Sequence, residues 1–216
     1  MTHALQITLI GMAGIGKSTW AARLERRGFL RIDCDRMIAE RLSTELAGAG
    51  DLIAALGSWM GLPWEPGYEE RAMRYQHLEK AVMEEVLENL GRAQGKNDIV
   101  VDTAGSVIYT GDDVLDELAG QSVVVHLASP HEDRERLLED YLKRPGPVLW
   151  HGMFRPAPGE PHQQAVARCY AELLEDRERR YTRLAHITLD YRAHREGDLS
   201  LESFLGRARS FSRGQG

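Results

Sequence analysis

Apolar residues recur along this chain at two spacings, and the two alternate. Short apolar-rich runs at 5–10, 29–32, 99–101, 123–125 and 186–189 read as strands, most of them buried on both faces. Between them the apolar positions fall three and four apart. Trp20 and Leu24 mark a helix over 18–27 that Gly28 is placed to cap, and Ile38, Leu42 and Leu46 mark the next. A further helical piece near 51–60 precedes a turn at 57–67 rich in Gly, Pro and Trp. Leu78, Val82, Val86 and Leu90 then form one stripe of a long helix over about 69–90, with Gly91 past its end.

Ser129-Pro130-His131-Glu132 reads as a capping box before a helix carrying Leu137, Leu138 and Tyr141. From 143 to 162 the character changes: five of the eight prolines fall there, which predicts a long mobile loop. A helix over about 163–183 precedes the last strand, and one around 199–208 follows it. Strands alternating with helices predict an α/β fold of the P-loop NTPase type, a five-stranded parallel sheet with helices on both faces. Ligands of such sheets lie at the carboxyl ends of the strands. The 216 residues fit a single domain, 1–216.

Composition narrows the partners. The chain is 43% hydrophobic and 28% charged with net charge −6, and it holds no long basic run, so no nucleic-acid partner is expected. No window approaches the apolar length of a membrane span, and no membrane association is expected. Cys34 and Cys169 are too few for a disulfide framework or a zinc site, which agrees with a cytoplasmic protein. A monomer or small homo-oligomer is expected.

Chemistry enters after the first strand. Gly11-Met12-Ala13-Gly14-Ile15-Gly16-Lys17-Ser18 spells G-x-x-x-x-G-K-[ST], between a strand and a helix as that motif requires. Its glycines let backbone N–H groups turn inward around a polyphosphate, and the helix N-terminus adds partial positive charge. Gly11, Gly14, Ile15, Gly16, Lys17, Ser18 and Thr19 are therefore the expected nucleotide site. Lys17 is expected at the β- and γ-phosphates of ATP, and Ser18 at Mg²⁺.

Four more motifs follow in order: Asp33-Cys34-Asp35 running into Met37-Ile38; Val100-Val101-Asp102-Thr103-Ala104-Gly105-Ser106-Val107; Lys143-Arg144-Pro145; and Asp176-Arg177-Glu178-Arg179-Arg180-Tyr181. With the phosphate loop, this series resembles the shikimate kinase family of small nucleoside-monophosphate-kinase-like phosphotransferases, over about residues 5–191. The resemblance implies Asp33 near Mg²⁺, and Asp35 gripping the acceptor and assisting removal of its proton. It implies Gly105 approaching the substrate, Arg144 closing from a lid over about 143–163, and Arg177 binding a substrate carboxylate. It also implies a substrate-binding helical insertion over about 35–92.

The sequence departs from the family in places. The family's triple glycine keeps Gly105 alone, and Asp102 stands where the family has a small residue; it is either a water-mediated Mg²⁺ group or a turn-forming Asp. With Glu79 aligned on the family's helical Glu, Gln76 falls where a substrate Arg belongs. Arg74 is the candidate replacement, although two residues along a helix is roughly 200° of rotation. Asp35 also reads as a helix N-cap, and Arg144 as a solvated helix-end Arg. The expected activity is ATP-dependent phosphorylation of a hydroxyl on a small carboxylated metabolite, with a hydroxy acid such as shikimate as partner. The alternative is a nucleotide-binding regulatory protein, or a GTPase-like switch, since Asp102-Thr103-Ala104-Gly105 reads D-x-x-G; no Asn-Lys-x-Asp accompanies it.

Overall fold

The computed structural model of the chain describes residues 4–46, 51–129, 134–143, 146–195, 197 and 199–213. In chain order these form β1 Gln6–Ile10, α1 Lys17–Glu25, β2 Leu30–Asp33, α2 Cys34–Arg41, α3 Leu52–Met60, α4 Tyr68–Ala93 and β3 Ile99–Asp102. A 3₁₀ turn at Val107–Tyr109 leads to α5 Asp112–Gln121, β4 Val123–Leu127, α6 Arg134–Lys143, α7 His162–Leu184, β5 Ile187–Leu189, α8 Tyr191–Arg195 and α9 Leu201–Arg213.

The strands pair in parallel in the order β2-β3-β1-β4-β5. β1, β3 and β4 are buried along their whole length, which is why they read as apolar runs without alternation. Helices cover both faces; α1 and α9 share one of them, where Trp20 stacks on Phe204 at 4.8 Å. The direction of strand succession reverses at β1, which has β3 on one side and β4 on the other. The phosphate loop leaves the sheet at that switch point. The register sets Leu9 beside Asp102, and Asp102 beside Asp33, so two carboxylates stand together at the ends of β2 and β3.

Several boundaries differ from the sequence reading, each for a local reason. Gly91 lies inside α4, whose last turn is tied to β1 by the Gln6 amide donating to Leu90 O at 2.8 Å. The helix stops only before Gly95, which takes φ +74°. Gly57 lies inside α3, so the Trp-rich turn is confined to 61–67; Arg71 braces it by donating to Met60 O and Pro66 O. The sequence reading missed α5, whose apolar stripe is short, with Val114 and Leu118 buried four apart. Residues 130–132 of the expected capping box lie outside the described residues.

The expected mobile loop is anchored at its centre. Residues 146–161 form no helix or strand, yet Val148, Leu149 and Trp150 are buried. The Tyr68 hydroxyl donates to Val148 O at 2.8 Å and accepts from Trp150 N at 3.1 Å. Trp150 also meets Tyr141 and Phe154 edge-on. An apolar triplet inside a Pro-rich frame can only be buried if its backbone polar groups find partners, and one tyrosine supplies two of them. Tyr68→Phe leaves both groups without that partner and is expected to cost about 1–3 kcal/mol in denaturant unfolding. A change near zero would mean the hydroxyl does not hold this segment.

Candidate active site

The phosphate loop is shaped by its glycines. A Cβ on Gly11 would lie 2.6 Å from Leu127 O, and its φ of +141° is open only to glycine. Gly16, at φ +112°, caps α1 and turns the backbone into the helix. Ile15 is buried beneath the loop, while Ser18 and Thr19 are exposed on the first turn of α1. Lys17 is 7% exposed, and its ammonium donates to Gly11 O and Met12 O, each at 2.9 Å. Burial lowers its pKa, opposed by the nearby carboxylates of Asp35 and Asp102.

Asp33, and not Asp35, is the cap of α2: its carboxylate accepts from Arg36 N at 3.1 Å. Asp35 is thereby released from capping and sits half-buried in the first turn. The Tyr75 hydroxyl donates to its Oδ1 at 3.4 Å. Burial raises the Asp35 carboxyl to about 6, with Lys17 pulling the other way. Arg31 reaches across the strand ends, donating to Asp33 at 3.0 Å and to the buried Asp102 at 2.6 Å.

Gly105 lies where the end of β3 meets the loop. A Cβ there would stand 3.4 Å from Ala13 N and 3.5 Å from Arg177 Nη1. Arg177 is 4% exposed on α7; it donates to Leu149 O at 2.8 Å and lies over the Tyr109 ring at 5.7 Å. Its neighbours Arg179 and Arg180 pair with Asp176 instead, so of that basic cluster Arg177 is the one turned inward. The Tyr181 hydroxyl donates to Gly105 O, which fixes α7 against the glycine. From α4, Glu79 is 1% exposed and accepts from the Ser106 hydroxyl at 2.9 Å. Burial raises its carboxyl to about 8, against the pull of that hydroxyl.

Lys17, Asp35, Gly105 and Arg177 thus converge beside the phosphate loop. Arg74 does not join them: its side chain is 51% exposed and pairs with Glu45. Its turn of α4 faces away, as the rotation between positions 74 and 76 requires. Gln76 donates to Tyr109 O at 3.2 Å. Arg144 lies outside the described residues. Tyr75, Tyr109 and Arg31 escaped the sequence reading, and Ser106 was named there within its motif but given no role. Their only signal was position, one turn or one strand register from a motif residue. A cavity of about 340 Å³ between α4 and the anchored segment, lined in part by Ala72, Gln76, Leu149 and Trp150, meets this cluster at Leu149.

The residues present fit a nucleoside triphosphate, with open backbone at Gly14 and a lysine already folded into the ring of the loop. No group of three His, Cys, Asp or Glu among the described residues is arranged to hold a metal. The exposed Ser18 hydroxyl on the first turn of α1 fits a Mg²⁺ that would be kept mainly by phosphate oxygens and waters. No helix among the described residues is long and apolar enough to cross a membrane.

This is the architecture of the P-loop α/β fold. No family model matches the chain, and no curated protein matches its sequence. Solved structures do. A shikimate kinase from Acinetobacter baumannii, in complex with shikimate, is 22% identical with a TM-score of 0.57, over 95% of this chain and 90% of its own. A shikimate kinase from Bacteroides thetaiotaomicron is 20% identical with a TM-score of 0.54, over 97% and 98%. The chain has the shikimate kinase fold.

A prediction follows from Glu79. In the unfolded chain its carboxyl ionises near the ordinary 4.5, but in the folded protein only near 8. Between those values the folded state keeps a proton that the unfolded state has released. Raising pH through that window therefore destabilises the fold, by up to about 1.4 kcal/mol per unit. Glu79→Gln is expected to flatten this slope in thermal melts between pH 5 and 8. An unchanged slope would show that the carboxyl titrates normally.

Proposed function

We propose that the chain is an ATP-dependent kinase, a single domain that phosphorylates a hydroxyl on a small carboxylated metabolite in the reducing cytoplasm. One juxtaposition carries this reading: a buried Lys17 inside a glycine loop, with Gly105 lying between that loop and Arg177, and Asp35 close enough to act on the Lys17 charge. A phosphoryl group needs the first, and a carboxylated acceptor needs the second. The two free, buried cysteines, Cys34 and Cys169, accord with that compartment.

The steps divide among this chain's own residues. Lys17 neutralises charge on the terminal phosphates; the Ser18 hydroxyl, with Asp33 and Asp102 acting through water, would hold the Mg²⁺. Bound there, Mg²⁺ supplies charge neutralisation across the β- and γ-phosphates. Arg177 holds the acceptor's carboxylate, and Gly105 leaves room for it. Asp35 orients the hydroxyl, whose oxygen bonds to the terminal phosphorus as the bond to the β-bridging oxygen breaks; its proton passes to Asp35. Arg144, a few residues before the anchored segment in sequence, would steady the charge on the moving group.

Coupled ADP release with a panel of hydroxy acids, shikimate and quinate among them, tests the proposal. Asp35→Asn is expected to lower kcat by roughly 10²–10⁴ with the nucleotide KM little changed. Lys17→Ala is expected to lose about 10² or more through the phosphate contacts. Tight ATP binding without turnover on any acceptor would sink the enzyme reading.

A further inference from the structure

Two side chains of the cluster, both more than nine-tenths buried, leave a polar atom unanswered. Glu79 Oε1 takes the Ser106 hydroxyl, but its Oε2 has no hydrogen-bond partner among the described residues. Arg177 Nη2 goes to Leu149 O, but its Nε likewise has none. The two lie close enough to act on each other's charge, together with Asp35 and Lys17. Both atoms lack a partner in a place where an unmet polar group costs the most; a donor there would suit an ionised Glu79, and an acceptor would suit Arg177.

The charge balance sharpens the demand. Lys17 belongs to the phosphates. Gln76 carries no charge and donates to Tyr109 O, and Arg74 is turned out to Glu45. That leaves one guanidinium, Arg177, beside Asp35 and a Glu79 carboxyl that keeps its proton while no cation faces it. A plain hydroxy acid would satisfy Arg177 and bring nothing for Glu79. A cation that lets Glu79 ionise would have to come from the substrate.

We propose that the acceptor is a hydroxyl-bearing amino acid, or a zwitterion of the same plan, whose carboxylate meets Arg177, whose ammonium meets Glu79 Oε2 and whose hydroxyl meets Asp35. This rests on the kinase reading and narrows its substrate class. An ammonium against Glu79 forms a charge-assisted bond and draws that carboxyl back to its ionised form. The cavity meeting the cluster at Leu149 has room for whatever the amino acid carries beyond these three groups.

The test is calorimetric binding to the full chain with ADP and Mg²⁺ present. L-homoserine, L-threonine and L-serine are compared with their deamino counterparts, 4-hydroxybutyrate, 3-hydroxybutyrate and 3-hydroxypropionate. At least one amino acid is expected to bind about tenfold or more tightly than its deamino partner. Glu79→Gln is expected to erase that preference, with ADP affinity showing that the variant folds. Gln76→Arg, which puts a second guanidinium on α4, is expected to reverse the preference toward the deamino acids. If no amino acid exceeds its partner, or if the preference survives Glu79→Gln, the inference falls. ADP release read on the same ligands separates the two claims. Phosphorylation of hydroxy acids without an amine preference overturns this inference alone. An amine preference in binding with no ADP release on any acceptor supports the amino-acid site at Glu79 and Arg177 but overturns the kinase reading, and with it the acceptor role.

Discussion

Charge buried beside a glycine loop is the constraint to which the surrounding structure answers. Lys17, Glu79, Asp102 and Arg177 are each less than one-tenth exposed at the carboxyl end of a parallel sheet. None can stay there without a partner or a change of protonation. Lys17 is met by loop carbonyls, Asp102 by Arg31, Arg177 by Leu149 O, and Glu79 by the Ser106 hydroxyl and its own proton. Each answer draws a different element inward: β2 through Arg31, the segment after α6 through Leu149, and the 3₁₀ turn through Ser106. The site is assembled as much by this demand as by the sheet.

The anchored segment shows how packing and electrostatics cooperate. Trp150 and its aromatic neighbours supply the area that drives 148–150 into the protein. Tyr68 then satisfies the backbone that burial strips of water, and Arg177 takes the remaining carbonyl at Leu149. The same carbonyl occupies one face of the guanidinium proposed to receive the acceptor, so the segment and the acceptor site share a wall.

Asp33 and Asp35 illustrate how a motif divides its labour once folded. In sequence they are a pair, and either reads as a cap or a catalytic group. In three dimensions Asp33 spends its oxygens on Arg36 N and Arg31, which leaves Asp35 a half-buried carboxyl with a raised pKa beside Lys17. Arg177 stands apart from Arg179 and Arg180 for the same kind of reason: Asp176 occupies the outer two. Spacing named the candidates, and competition for partners assigned the roles.

The sequence by itself determined the alternation of strand and helix, the parallel sheet and the phosphate loop, because these depend on periodicity and on glycines a few residues apart. Its error at Gly91 and its omission of α5 came where a helix end or a short stripe is decided by contacts with β1 and β4. Only the tertiary structure turned Arg74 away and Arg177 inward, left Glu79 half-answered, and buried the middle of a Pro-rich loop. Those outcomes rest on which groups compete for burial and for hydrogen bonds across 27 to 82 residues of chain. No local pattern encodes that competition, because its members meet only after the chain has folded.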